Sequence, residues 1–240
     1  MEHTRPKSAT RCGTMLGMVF GVLSLAGAAG AETVHLQYTG TGNGRLIRAS
    51  VSSMSFNVFA GRLNHSTVWA SGSQRSLVTF STDLFQSVSG SMSPYTTTSV
   101  AQLSGNGGLT NLGTAKMHAV NDIFAAANGR QYTLGHDYAT AFQVALWEIV
   151  YDYNASTPNH GLDVANGTFR AKQIDGTDLS ASIREKIAFL FSSVGANANV
   201  QGLMAFRSSG FGDQVTVVPL PTASWLALGG LGLAFAARRR

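Results

Sequence analysis

The stretch AFQVALWEIVYD, residues 141–152, decides the fold because nearly all of its side chains are apolar or aromatic. At helical spacing these residues cover two faces rather than one stripe, which is typical of a helix buried on most sides. We therefore predict a buried helix over residues 138–153, with Asp137 as its N-cap. Gln143 lies inside this stretch, and its amide must find partners because an unpaired buried amide costs about 1–3 kcal/mol.

Two more helices are predicted around this one. Residues 115–127 carry one apolar face and end at Asn128 and Gly129, which are typical of a helix terminus. Residues 182–194 begin with a capping box formed by Ser182 and Glu185. The pattern therefore predicts about three helices beyond the first third of the chain.

The remaining apolar pattern alternates and predicts strands. Residues 33–60 predict two strands joined by a glycine-rich turn at residues 39–44. Further strand candidates are residues 68–70, 77–84 and 200–218, the last returning to the first sheet. Residues 87–111 and 154–180 are rich in turn formers and predict loops. The expected fold class is α+β, an antiparallel sheet or sandwich with the helices packed on it.

Charge is scarce in this chain and concentrated at its ends. Only 12% of the 240 residues are charged, against about 25% in a typical soluble protein. Between residues 32 and 218, eleven Lys or Arg balance eleven Asp or Glu, so the net charge of +5 arises at the two ends. This pattern excludes a basic nucleic-acid-binding surface. The single cysteine, Cys12, precedes this span, so no disulfide, thiol nucleophile, thiolate metal site or cofactor is expected within it.

Residues 1–31 are typical of a secretory signal peptide. A basic segment precedes an apolar run at residues 15–26, and the small residues Ala29 and Ala31 follow. We predict cleavage by signal peptidase after Ala31. An uncleaved anchor is the alternative, but the apolar run is short for a membrane span of about 20 residues.

Residues 218–240 contain three ordered parts that predict a membrane-inserted tail. The parts are Val218, Pro219, Leu220 and Pro221, then an apolar segment at residues 223–237, then Arg238, Arg239 and Arg240. We predict a transmembrane helix over residues 223–237, with the arginines on the cytoplasmic side. A buried C-terminal helix is the alternative, but a glycine-rich segment is a poor helix former.

This tail resembles the PEP-CTERM sorting signal in its VPLP variant, whereas the commoner form has Glu at the position of Leu220. The resemblance implies cleavage near the proline motif by an exosortase, a membrane-embedded cysteine protease. It also implies a Gram-negative bacterium that makes extracellular polysaccharide. The expected route is a transient anchor in the inner membrane, followed by release to the cell surface or the extracellular matrix.

The buried helix carries a second resemblance. Gln143 and Trp147 match the Gln-x-x-x-Trp helix of thioester domains of bacterial surface adhesins, and residues 80–84, FSTDL, match the aromatic-Cys-x-Asp-Leu strand. In that family the Gln side chain condenses with the Cys thiol. Here Ser81 occupies the Cys position, and a hydroxyl without an activating base is a poor nucleophile. The resemblance thus implies an inactive thioester-like position in which the Ser81 side chain hydrogen-bonds Gln143.

The remaining chemical candidates are histidines and aspartates without a recognised ligand spacing. They are His118, His136, His160, Asp137, Asp152 and Asp163. We predict that residues 32–217 form an exported, thioester-domain-like, non-enzymatic ectodomain. Its predicted role is non-covalent adhesion or biofilm matrix, through residues 87–111 and 154–180, with extracellular polysaccharide as a possible partner. The alternative is a surface enzyme, either an acyl-transfer domain using Ser81 and Gln143 or a hydrolase using the His/Asp set.

Overall fold

The computed structural model describes residues 31–105 and 110–218, which form an α+β fold with a mostly antiparallel sheet. The strands are β1 (Thr33–Val51), β2 (Met54–Val68), β3 (Gln74–Ser81), β4 (Ser93–Thr98), β5 (Ser104–Gly105), β6 (Thr110–Asn111), β7 (Phe169–Lys172), β8 (Leu203–Arg207) and β9 (Gln214–Val217). The helices are α1 (Gly113–Ala127), α2 (Arg130–Thr133), α3 (His136–Asp152) and α4 (Ala181–Phe191). Two short 3-10 turns lie at Val100–Gln102 and Pro158–Gly161.

Six of the strands close into a ring. Their order is β2-β3-β9-β8-β4-β1, and β1 pairs in turn with β2, so the ring has no free end. β1 joins β4 through residues 33–36, which pair with residues 93–96, and we call this short contact the closing pair. β7 extends the sheet at the other end of β1, over residues 48–51. The prediction that the last segment returns to a sheet built from the first third of the chain is confirmed.

The predicted turn at residues 39–44 is wrong. β1 runs through it as one strand, with irregularities between Tyr38 and Gly40 and between Thr41 and Gly44. A Cβ on Gly44 would lie 2.7 Å from the Cα of Gly61 on β2, so glycine permits the close approach of the two backbones. The chain reverses instead at residues 52–53, between the paired Val51 and Met54.

The ring contains a small core of its own. Val34, Leu36, Tyr95 and Phe206 form an apolar cluster separate from the clusters that include helical residues. Polar side chains are buried with them, including His65, Thr67, Thr79 and Gln214. The Thr79 hydroxyl donates to the Gln214 side-chain carbonyl at 2.8 Å.

α3 is the centre of the helical layer, as the sequence predicts. Every residue from Tyr138 to Val150 is buried. One face packs with Phe80, Phe124 and Val215, and the other packs with Phe169 and Ile183. The helix begins at His136, after Gly135, so the predicted N-cap at Asp137 is wrong. Asp137 lies inside the first turn, where its carboxylate pairs with Arg45.

The other predicted helices are confirmed with shifted ends. α1 begins at Gly113 and ends at Ala127, and its C-cap Asn128 has the left-handed backbone angles expected at this position. α4 is capped by Ser180, whose hydroxyl accepts from the backbone N–H of Ile183. The predicted capping box is therefore wrong, and Ser182 instead accepts from the Lys186 ammonium at 2.8 Å. The one-turn helix α2 is not predicted.

Both predicted loops contain strands that the turn-forming residues conceal. Residues 87–111 include β4, whose buried and exposed positions alternate, and the two-residue strands β5 and β6. Residues 154–180 include β7. Within residues 31–105 and 110–218, no helix is long and apolar enough to cross a membrane. The predicted segment 223–237 and the sorting residues after Val218 lie outside the described residues, as does the predicted signal peptide up to Gly30.

Candidate functional site

Gln143 and Ser81 lie in direct contact, through the Ser81 backbone. The Gln143 side-chain N–H donates to the Ser81 carbonyl at 2.8 Å, and the Ser81 N–H donates to the Gln143 side-chain carbonyl at 3.1 Å. Both residues are buried. One side-chain amide thus satisfies both backbone groups of one strand residue, as a peptide group of a neighbouring strand would.

The Gln143 amide takes the place of a neighbouring strand because of how β2 and β3 are paired. β2 and β3 pair only as far as Leu63 and Thr79, and the last two residues of β3, Phe80 and Ser81, pair with β9 on their other side. Beyond that point β2 no longer pairs with β3. Gln143 therefore fills the hydrogen-bonding position that β2 leaves open beside Ser81.

The Ser81 hydroxyl is directed into its own turn, so the expected side-chain bond to Gln143 is not formed. Ser81 Oγ donates to the Asp83 carbonyl at 2.8 Å and accepts from the Asp83 N–H at 3.2 Å. The Asp213 carbonyl lies 3.5 Å away. These partners are all backbone groups, and none is a side chain that could accept a proton during acyl transfer.

An open groove lies beside this contact, where β2 and β3 separate. We call it the Trp147 groove; its volume is about 440 Å³. One side is formed by residues 56–59 of β2, the other by residues 83–88, and Trp147 contributes from α3. Phe56 and Phe85 meet across it with ring centroids 5.8 Å apart. The indole N–H of Trp147 is buried and has no hydrogen-bond partner among the described residues.

Asp83 fixes the 83–88 side of the groove. One carboxylate oxygen accepts from the N–H of Phe85 at 2.7 Å and from that of Gln86 at 3.3 Å. Burial raises the pKa of Asp83, while the two backbone hydrogen bonds lower it. Asp213 plays a similar part nearby, accepting from the N–H groups of Ser104 and Ser208, and burial raises its pKa as well.

Glu148, next to Trp147 on α3, is a buried carboxyl that sequence reasoning missed. It is fully buried, and one oxygen accepts from the Asp163 N–H at 2.7 Å, while the other has no partner among the described residues. Burial raises the pKa of Glu148 to about 8. The available signal was a glutamate within an otherwise apolar helical stretch.

The histidines and aspartates of the alternative hydrolase are not brought together. His136 contacts Gly44, His160 stacks on Tyr153, and His118 is exposed on α1. Asp152 accepts from backbone N–H groups at residues 168 and 169, whereas Asp163 accepts from the N–H of Ala165. In the described part of the chain, no group of three or more His, Cys, Asp or Glu side chains could hold a metal ion.

The residues of the two terminal signals lie at or beyond the limits of the description. Ala29, Pro219, Leu220, Pro221 and the three final arginines fall outside it. Ala31 is exposed, and the Val218 N–H donates to the Gly202 carbonyl at 2.8 Å. Neither a family model, nor a curated protein, nor a solved structure matches this chain.

Proposed function

We propose that this chain is an exported bacterial surface or matrix protein whose ectodomain acts by non-covalent adhesion. The proposal that adhesion is non-covalent rests on the contact between Gln143 and Ser81. Both polar ends of the Gln143 amide are engaged by the Ser81 backbone, and Ser81 Oγ bonds only backbone groups. This arrangement favours a structural role for the thioester-like position and argues against an acyl-transfer enzyme.

The proposal that the protein is exported rests on the sequences at the two ends of the chain. The proposed sequence of events is cleavage after Ala31, a temporary inner-membrane anchor at residues 223–237 and processing by an exosortase at the proline motif. Glu32, the first residue after the proposed cleavage, already joins the sheet, since its N–H donates to the Thr97 hydroxyl at 2.9 Å. Cleavage there would leave the ring intact.

Replacing Gln143 tests the structural role. Gln143→Ala leaves the Ser81 N–H and carbonyl buried without partners, so the free energy of unfolding should fall by about 2–4 kcal/mol. Gln37→Ala, which removes a partly exposed amide bonded to Gly90, should change it by less than about 0.5 kcal/mol. Chemical denaturation followed by circular dichroism measures both.

Intact-mass spectrometry distinguishes this proposal from acyl transfer. The wild-type protein should carry its full mass, with no loss of ammonia, and should gain nothing on incubation with methylamine. Loss of ammonia, or a methylamine adduct that disappears in Gln143→Ala, would establish a reactive bond and overturn the non-covalent proposal.

Sorting is tested in a host that carries an exosortase. Pro219→Ala combined with Pro221→Ala should retain the protein in the membrane fraction, whereas the wild-type chain should reach the surface or medium. Ala substitution of Pro94, an exposed proline on β4, is the matched control. Equal release of all three proteins would contradict exosortase processing.

A further inference from the structure

We propose that the Trp147 groove binds a neutral saccharide. That the ligand is a saccharide rests on the proposed matrix role. That the groove is a binding site follows from the residues that line it. The groove combines aromatic rings with uncharged polar side chains on a concave surface, which is the usual composition of a small-ligand site.

The aromatic rings supply a surface for a sugar ring. Tyr38, Phe56, Phe59 and Phe85 line the groove from three separate segments of the chain. Phe85 is 40% exposed, although burying an aromatic ring is favourable by about 1.5–3 kcal/mol. The apolar C–H face of a pyranose packs flat on such a ring, so a bound sugar would cover Phe85.

Polar groups for the sugar hydroxyls lie around the rings. Asn57 is exposed and Gln86 is half-buried, one on each side of the groove, and both side-chain amides can donate and accept. Trp147 lies at the base of the groove as a buried side chain, 1% exposed, so it reports on the groove without offering its indole N–H to a ligand. The two amides recognise hydroxyl groups without needing a charge on the ligand.

The charge of the lining selects a neutral ligand. No Lys, Arg or His is among the lining residues, and the one ionisable carboxyl is that of Asp83. An acidic sugar would find no cation there, and an ionised Asp83 would repel it. The volume of about 440 Å³ lies within the usual range for small-ligand sites.

An extended peptide is the competing ligand, because β2 has no strand partner on this side before Leu63. Two features disfavour it. The Phe56 and Phe85 rings meet across the groove, so an added strand along β2 would have to separate them. The N–H groups of Phe85 and Gln86 are already bonded to Asp83 and cannot serve a peptide backbone.

Trp147 provides a fluorescent probe of the groove. The chain has three tryptophans, and replacing Trp69 and Trp225 with Phe leaves Trp147 as the only one. The full-length chain in this background is titrated with neutral oligosaccharides of glucose, mannose, galactose and N-acetylglucosamine, with acidic uronic-acid oligomers, and with extended apolar peptides. We expect a saturable change in Trp147 emission with at least one neutral oligosaccharide.

Three variants localise the binding. Phe85→Ala should weaken it by roughly tenfold, and Asn57→Ala should weaken it by a smaller factor. Phe189→Ala removes a similarly exposed phenylalanine on α4 and should leave it unchanged. Circular dichroism of each variant verifies folding.

Three outcomes would overturn the proposal: no neutral oligosaccharide binds, binding survives Phe85→Ala undiminished, or only peptides or acidic oligomers bind. Each is independent of the mass and sorting experiments, so the groove can fail as a sugar site while the export and adhesion proposals stand. Conversely, an ammonia loss at Gln143 would leave a sugar-binding result untouched.

Discussion

At the scale of single residues, several buried polar side chains are paired with backbone groups. Gln143 pairs with the Ser81 backbone, Asp83 with two successive N–H groups and Asp213 with two more. Asp122 on α1 does the same for the segment after α4, accepting from Gly195 at 2.8 Å and Ala198 at 2.6 Å. Buried side chains thus fix irregular backbone that has no strand or helix partner.

The buried Glu148 carboxyl should make the stability of the protein depend on pH. Its pKa rises from 4.5 to about 8 on folding because burial disfavours the charged form. Above pH 4.5 the unfolded chain loses this proton while the folded chain retains it, so stability falls as the pH rises through this interval. The slope reaches at most about 1.4 kcal/mol per pH unit. His65 acts in the opposite sense at lower pH, since burial lowers its pKa from 6.5 to about 4.

The expected result is a decline in the free energy of unfolding between about pH 6.5 and 8, where the Glu148 effect is unopposed by His65. Denaturant titrations across this range measure it. Glu148→Gln should remove most of the decline, because a neutral amide does not titrate. Glu185→Gln, at an exposed position of α4, should retain it. A decline of the same slope in Glu148→Gln would show that other groups cause it.

At the scale of elements, the β1–β2 turn contains a residue in an unfavourable conformation. Ser52 has φ of 54°, in the left-handed region that favours glycine, and occupies the first position of a two-residue turn. Ser52→Gly should therefore stabilise the protein by about 0.5–1 kcal/mol. Its backbone contacts with Thr168 and Arg170 do not depend on the side chain.

The neighbouring serine is the matched control. Ser53 does not have a positive φ, so Ser53→Gly adds only flexibility to the unfolded chain and should destabilise by a similar amount. Thermal unfolding of the two single variants gives the comparison. Equal shifts of the two melting temperatures in the same direction would contradict the conformational argument.

The elements also show what a sequence pattern can predict. The long helices α1, α3 and α4 were predictable because their apolar periodicity extends over several turns, and only their ends shifted. The turn at residues 39–44 was not, since its glycines serve bulges and a close backbone crossing within one strand. β4 was hidden by its Ser and Thr residues, which are buried at Ser93 and Thr97 and exposed at Thr96, so they give no apolar alternation.

The candidate site was likewise predictable from the sequence only in part. The Gln143–Ser81 pair was predictable from two motifs and their order, but the involvement of the Ser81 backbone depends on where β2 leaves β3. The Trp147 groove depends on that same divergence, and on the loop at residues 83–88, whose backbone is bonded to the Asp83 carboxylate. Such long-range geometry has no local signature, so neither Phe56 nor Phe85 could be assigned to a site beforehand.

At the scale of the whole molecule, ring closure links the first strand of the described residues to the last. β1 is paired with β2 on one side and β4 on the other, and β4 leads through β8 and β9 to β3, against which α3 packs. The strand that begins one residue after the proposed cleavage site therefore supports the surface on which the helices lie. We expect unfolding to be a single cooperative transition.

Val34→Ala tests this cooperativity from the first strand. Val34 is fully buried inside the ring, and truncating it should cost about 2 kcal/mol. If the ring and helices unfold together, as we expect, hydrogen exchange should accelerate by the same factor in β4, β8 and α3. Leu46→Ala, at a position 57% exposed on the same strand, should change exchange little. Acceleration confined to residues 33–36 and 93–96, with α3 unchanged, would instead mean that the closing pair opens alone and that the helical layer is stable without it.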